Sequence, residues 1–466
     1  MGEGPLHIVL FPWLAFGHLI PFLELSKSLA KRGHHIFFIS TPRNIHRLPN
    51  IPLPLLPLID FISIPLPPSD DLPDHDAEAT ADLPPHKVPH LKKAFDKLDQ
   101  PVAEFLEQAS PKPDWIICDF APYWLPPIAS KLNTPCAYFN TFPSFSSAFS
   151  AAWQRSPEQL TATPEWIPFP TKVAYRLHEA RSFAKLVHDS ASGVSDEYRF
   201  NSVVRCCDLM AVRGCMEFDG EWLNVLPELY EKPIVPLGLL PPSADDRPDG
   251  ENTNGMANTG HGNVVKWLNK QTPESVVYVS LGSEATLSNE LVHELAFGLE
   301  LSGLPFLWAL RRKREEVELL PKGFEDRIAG RGVIAMGWMP QLEILACSSV
   351  GGFFTHCGWS SVVEGLAFGH PLILLPIFGD QGINARVMVE KKLGLEVERD
   401  EETGSFTREA VANVVRSVMV EDEGKKLRET AKRMREVFSN NDIHGRYVDA
   451  FVHYLRDHVR CRSLTV

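Results

Sequence analysis

One stretch limits what this chain can fold into more than any other. Val350-Gly-Gly-Phe-Phe-Thr355 is apolar and short enough for a buried parallel strand. His356-Cys-Gly-Trp359 follows as a turn, and Ser360-Ser-Val-Val-Glu-Gly-Leu-Ala-Phe368 opens a helix with hydroxyls in its first turn. A strand that passes through a glycine turn into a helix aims unpaired backbone N–H groups and the helix dipole at one spot. The segment therefore predicts an anion site. A plainer role is also open. Ser361-Val-Val-Glu364 has the S-x-x-E spacing of a capping box, in which Glu364 would only satisfy a backbone N–H.

The same pattern recurs along the chain. His7 to Leu14 reads as a first strand and Ala15-Phe-Gly-His18 as a turn. Leu19, Phe22, Leu25 and Leu29 then repeat at helical spacing until Gly33, and His35 to Ser40 is the next strand. This βαβ opening is the signature of a doubly wound sheet. Pro113–Asp119 and Pro135–Phe139 continue it, whereas the proline-rich region from 45 to 90 reads as surface loop. Residues 241–262 are dense in Gly, Pro, Asn and Asp with almost no apolar content, and predict a flexible linker.

After that linker the alternation restarts. Strands are predicted at Ser275–Leu281, Pro305–Leu310, Gly332–Met336 and Pro371–Pro376, with helices such as Asn289–Ser302 and Gln381–Lys392 between or after them. The fold class is thus α/β: an N-terminal Rossmann-like domain over 1–240 faces a second over 263–440 across a cleft. Residues 441–466 are read as a C-terminal helix packing back on the first domain. A ligand belongs in the cleft, at the C-terminal ends of the strands.

Charge and composition exclude several classes. The net charge of −13 argues against nucleic acid and against an anionic membrane surface as partner. It leaves room for a small anion held by local dipoles. No apolar run reaches the ~18 residues of a membrane span, and the N-terminus does not read as a secretory leader. The cysteines are scattered without metal-ligand spacing, so the reading is of reduced thiols in a cytoplasmic protein with no metal.

An acid–base pair is readable in the first half. His18 lies in the turn after the first strand, and Asp119 ends a buried strand at the same edge. At that edge the two can hydrogen-bond, the carboxylate fixing the tautomer of the imidazole and stabilising its charged form.

From Trp338 to Gln381 the chain resembles the signature box of the plant family 1 UDP-glycosyltransferases: W-x-P-Q, then F-x-x-H-C-G-W, S-x-x-E and finally D-Q. The resemblance extends over the whole chain. It implies a GT-B architecture, an inverting single displacement, and a UDP-sugar co-substrate, UDP-glucose first. Trp338 would stack on uracil and the Met339 backbone would read its edge, while Gln341 and Glu364 would bind ribose. Ser283, His356, Gly358, Ser360 and Ser361 would hold the diphosphate. Trp359, Asp380 and Gln381 would bind the donor sugar.

The resemblance also implies His18 as base and Asp119 as its partner. Phe11–His18, Ser40–Ile45 and Pro376–Gln381 resemble the branch-forming group, which adds a sugar to a sugar already on a flavonoid or terpenoid. UDP-rhamnose, UDP-xylose and an aglycone hydroxyl are the alternatives for donor and acceptor. Trp13, Phe16, Tyr123, Trp124, Phe142, Phe145 and Phe378 are candidates for the acceptor pocket, and a monomer is expected.

Two positions depart from the box: Cys347 stands where His is usual and Ser360 where Asn is usual. Two other classes fit the sequence less well. A dinucleotide oxidoreductase needs G-x-G-x-x-G after a strand, which neither Phe16–Pro21 nor Leu281–Thr286 supplies. An inactive nucleotide-sugar binder would have no use for His18 and Asp119.

Overall fold

The computed structural model describes residues 4–68, 72, 77–151, 154–241, 262–311 and 319–465. Nearly all of the predicted linker lies outside the described residues. The described residues build two parallel sheets. The first contains β1 (His7–Phe11), β2 (His35–Ser40), β3 (Ile59–Ser63), β4 (Trp115–Cys118), β5 (Cys136–Asn140), β6 (Leu209–Val212) and β7 (Ile234–Pro236), in the order β3-β2-β1-β4-β5-β6-β7. The second contains β8 (Val276–Ser280), β9 (Phe306–Leu310), β10 (Gly332–Met336), β11 (Val350–Thr355), β12 (Leu372–Leu374) and β13 (Gly394–Glu396), in the order β10-β9-β8-β11-β12-β13. Each order reverses once, between β1 and β4 and between β8 and β11, and the loops leaving a reversal diverge to open a crevice.

The apolar runs explain why these strands form. β4, β5, β6, β8, β9 and β11 are buried along their whole length, as strands covered on both faces must be. The proline-rich region is not all loop: Ile59–Ser63 pairs in register with β2 as an edge strand. Pro57 and Pro65 bracket it without interrupting the ladder, and an edge strand tolerates such neighbours. β7 and β13 are three residues each, too short to carry a periodic signal.

The last helix, Asn441–Thr465, returns to the first sheet. Val448, Phe451 and Leu455 are buried there, and the Trp115 indole donates to the Leu455 carbonyl at 3.1 Å. Leu455→Ala should cost about 2–5 kcal/mol, the usual range for emptying a buried leucine site. Chemical denaturation measures it; an unchanged midpoint would mean that this helix carries no load. Among the described residues, no helix is long and apolar enough to cross a membrane.

Contacts between the two halves close the sides of the cleft. Ser146 donates to Asn384 Oδ1 at 2.8 Å, Thr80 to Glu284 at 2.7 Å, and Arg176 pairs with Glu396 at 3.3 Å. Glu396 also pairs with Arg386 at 2.6 Å. Three cysteines far apart in sequence also converge: Cys118, Cys136 and Cys207 lie with their sulfurs 3.7–3.9 Å apart, buried in the first half.

Candidate active site

The two sheet reversals face one another across a cavity of about 570 Å³. On one side stands His18, in the first turns of the helix Phe16–Ala30 that follows β1. Its Nδ1 lies 2.8 Å from Asp119 Oδ2 and 3.2 Å from Thr141 Oγ1. A carboxylate only accepts, so Nδ1 carries the proton and donates, which leaves Nε2 as the lone-pair nitrogen. Asp119 is 1% exposed, directly after β4. It is held from behind by two backbone donors, Trp13 N–H at 3.0 Å and Phe120 N–H at 2.7 Å. Burial disfavours the His18 imidazolium, but the charge and hydrogen bond of Asp119, helped by Glu284 and Asp380, outweigh it and raise the pKa.

On the other side β11 runs into the helix Trp359–Ala367, whose N-cap is Gly358 with extended backbone angles. Among the described residues no side chain caps this helix, so its first turn, which lines the cavity, has N–H groups unpaired by a cap. The capping-box reading of Glu364 fails on register. The helix starts at Trp359, which puts Ser361 inside the first turn instead of at the cap. The Glu364 carboxylate instead accepts from Gln341 Nε2 at 2.6 Å, and Gln341 Nε2 also reaches Ser361 Oγ at 3.4 Å. Burial raises the Glu364 pKa, against the Gln341 hydrogen bond and the charges of Arg213 and Arg311.

His356 is wedged between two glycines. A Cβ on Gly282, where φ is +78°, or on Gly358 would lie 2.5 Å from its Nε2. Burial, then the charge of Arg311, pushes the His356 pKa down to about 4, so the ring is neutral near pH 7. Its Nδ1 is buried with no partner among the described residues.

Polar side chains line the cavity between the two sides. Gln381 turns its carbonyl oxygen inward to accept from Ile377 and Phe378 N–H at 2.9 and 3.1 Å, which leaves its NH₂ for the cavity. Asp380 accepts from Asn384 Nδ2 at 3.1 Å, and burial lifts its pKa to about 6. Trp338 is 58% exposed, with the Arg311 guanidinium 4.0 Å from its ring and Phe16 edge-on at 5.5 Å.

The cavity wall collects Phe16, His18, Phe142, Ser283, Trp338, Met339, Gln341, His356, Gly358, Trp359, Ser360, Ser361, Glu364, Phe378, Asp380 and Gln381. Asp119 stands just behind it. Four aromatic acceptor-pocket candidates lie outside this wall. Phe145 is fully buried, edge-on to both Trp359 and Trp222, so it is core rather than wall. Trp13 and Trp124 pack against Phe95 in an aromatic cluster that also holds Phe11. Tyr123 lies beneath Arg199 and edge-on to Tyr198. The Trp359 indole N–H is spent on the Arg213 carbonyl at 3.3 Å, so only its ring and backbone are left for a ligand.

Sequence reasoning missed Thr141, Glu284, Arg311, and the ion pair of Glu24 with Lys27 at 2.6 Å, all in the same wall. A usable signal was the pair of charges inside the largely apolar helix Phe16–Ala30.

A family model described as UDP-glucoronosyl and UDP-glucosyl transferase matches residues 253–438, which contain β8 to β13. UDP-glycosyltransferase 91C1 of Arabidopsis thaliana is 45% identical over 461 residues, 97% of each chain. Soyasaponin III rhamnosyltransferase of Glycine max is 41% identical over 459 residues, 97% of this chain and 96% of its own. Among solved structures, Phytolacca americana UGT2 complexed with UDP-2fluoro-glucose and pterostilbene superposes with a TM-score of 0.72. It is 26% identical, over 97% of this chain and 99% of that one.

Proposed function

This chain belongs to the plant family 1 UDP-glycosyltransferases, of GT-B architecture, and from that premise we propose that it transfers glucose from UDP-glucose to a hydroxyl of a terpenoid or flavonoid glycoside, on a sugar already attached. One observation carries the reading. His18, oriented by Asp119, and the open N-terminus of the helix Trp359–Ala367 line one and the same cavity. A base and an anion holder placed so can act on the two ends of a single displacement.

The steps follow from the positions. Uracil stacks on Trp338, the ribose hydroxyls meet Gln341 and Glu364, and the diphosphate meets Ser283, His356, Gly358, Ser360 and Ser361. Asp380 and the Gln381 NH₂ bind sugar hydroxyls. The acceptor hydroxyl gives its proton to His18 Nε2 as its oxygen attacks the anomeric carbon. The bond from that carbon to the diphosphate oxygen breaks on the opposite side, so the configuration inverts. The charge that develops on UDP is met by the backbone N–H groups and the helix dipole. His356, neutral in the free protein, adds one hydrogen bond. Phe16, Phe142 and Phe378 supply apolar surface for the acceptor.

The donor alternative with the most support is rhamnose, because a relative covering nearly the whole chain is named a rhamnosyltransferase. The deciding experiment supplies UDP-glucose, UDP-rhamnose and UDP-xylose in turn, each with a flavonoid glycoside, a steviol-type glycoside and their aglycones. A new sugar–sugar bond with UDP-glucose is the expected product. UDP release without a new glycoside, or transfer only to aglycones, would sink the proposal.

The diphosphate assignment has its own test. A methyl at Gly358 must push the His356 ring aside. Gly358→Ala should therefore weaken UDP binding about tenfold, the size of one lost hydrogen bond to a charged group. Calorimetry that finds equal affinities would move the phosphates elsewhere.

A further inference from the structure

Ser360 departs from the box, and its neighbour in space comes from the other half of the chain. Arg213 directly follows β6 and is 2% exposed. Its Nη1 donates to Ser360 Oγ at 2.8 Å, its Nε to the Leu239 carbonyl at 2.7 Å, and its Nη2 to the Leu240 carbonyl at 3.4 Å. The backbone carbonyl of Arg213 in turn accepts from Trp359. Residues 359 and 360 are thus gripped by one residue of the first half. Among the described residues no carboxylate forms an ion pair with this guanidinium; Glu364 and Glu24 act on it only through space. Burial brings its pKa down to about 10, so it is still a cation at neutral pH. An enclosed cation with no carboxylate in direct contact is costly to keep, and leaves room for a further anion nearby.

Ser360, unlike Arg213, lines the cavity. An Asn there would bring its own amide donors, whereas a serine has one O–H. Because Arg213 donates into Ser360 Oγ, the hydroxyl hydrogen must point away from the guanidinium. We propose that Arg213 is a positioning residue for the donor diphosphate: acting through Ser360, it turns that hydroxyl into a donor to a phosphate oxygen and places a positive charge behind it, together replacing the amide of the usual Asn. The inference rests on the function proposed above. Its two members sit on opposite halves of the chain, so the grip on phosphate is complete only where the halves meet.

The test is a double-mutant cycle read by calorimetry, with UDP and uridine as probes. Arg213→Met and Ser360→Ala should each weaken UDP about tenfold, as loss of a hydrogen bond to a charged group does, and the double variant should lose little more. Uridine, which has no phosphate, should bind all variants alike. Ser360→Asn placed on Arg213→Met should recover most of the UDP affinity. If Arg213→Met does not fold, Arg213→Gln completes the same cycle. Equal losses for UDP and uridine, or additive losses in the double variant, would reduce Arg213 to a structural residue and overturn the inference. A wild-type chain that binds neither probe overturns it together with the functional reading. A wild-type chain that binds UDP while Arg213→Met binds it equally well overturns this inference alone.

Discussion

His18→Ala will bring transfer down by roughly 10²- to 10⁴-fold, the range general-base catalysis contributes, while UDP still binds. The two halves of the expectation have separate causes. Nε2 is the basic atom on the cavity side, because Nδ1 is committed to Asp119. Without it an acceptor hydroxyl must lose its proton to water. The expected diphosphate ligands lie across the cavity on other elements, so removing the imidazole leaves them in place. A saturating-donor assay measures turnover, and calorimetry measures UDP affinity. Full transfer by the variant would remove His18 from the role of base. Lost UDP binding would show instead that His18 helps to assemble the whole cleft.

Asp119→Asn should be comparably damaging, through orientation rather than removal. The carboxylate accepts from Nδ1; an amide can offer its NH₂ there and stabilise the opposite tautomer, with the proton on Nε2. That ring cannot take a proton from the acceptor. A loss of about 10³- to 10⁴-fold in turnover is expected, by analogy with an Asp-to-Asn change in a Ser-His-Asp triad. The pH profile gives a second, independent readout. A base works in its neutral form, so the wild-type rate climbs as pH passes the His18 pKa, which lies above the ordinary 6.5. Burial opposes that rise and Asp119 drives it. With the charge removed, burial prevails, and the acid limb of the residual activity moves to lower pH. A limb that stays put would mean that Asp119 does not set the His18 titration. Because Asp119 also accepts from the Trp13 and Phe120 amides, a melting curve should accompany the assay.

Much of this was legible in the chain itself, wherever the information is local. Val350–Thr355, Gly332–Met336, His35–Ser40 and Asn289–Ser302 have the bounds their patterns predict, because a short apolar run between turn residues marks each strand and Gly303 stops the helix in a left-handed cap. Ile59–Ser63 was hidden by its prolines, and Gly394–Glu396 by its length. In these two, pairing with a neighbour decides the conformation and no local pattern records it.

The site divides along the same line. Residues a few positions or fewer beyond a strand end, such as His18, Asp119, Ser283 and His356, could be placed at the cleft from sequence, since a parallel sheet delivers every strand end to one edge. Phe145, Trp13, Tyr123 and Trp124 could not be sorted into wall or core, because aromatic content is the same in both. Only the packing of Trp222 and Trp359 around Phe145 settles its place.

By itself, then, the sequence determined the alternation of strand and helix, the glycines at Gly282 and Gly358, and the order in which the Trp338–Gln381 stretch meets the cleft. These depend on backbone sterics and on neighbours a few residues away. The tertiary structure alone decided that Glu364 turns to Gln341 instead of capping its helix, and that His18 gains basicity despite its burial. It also decided that Ser360 is backed by Arg213, a residue 147 positions earlier in the chain. Each of these is a contest between desolvation and a specific partner, and the partner is supplied by a remote segment that folding brings within hydrogen-bonding distance.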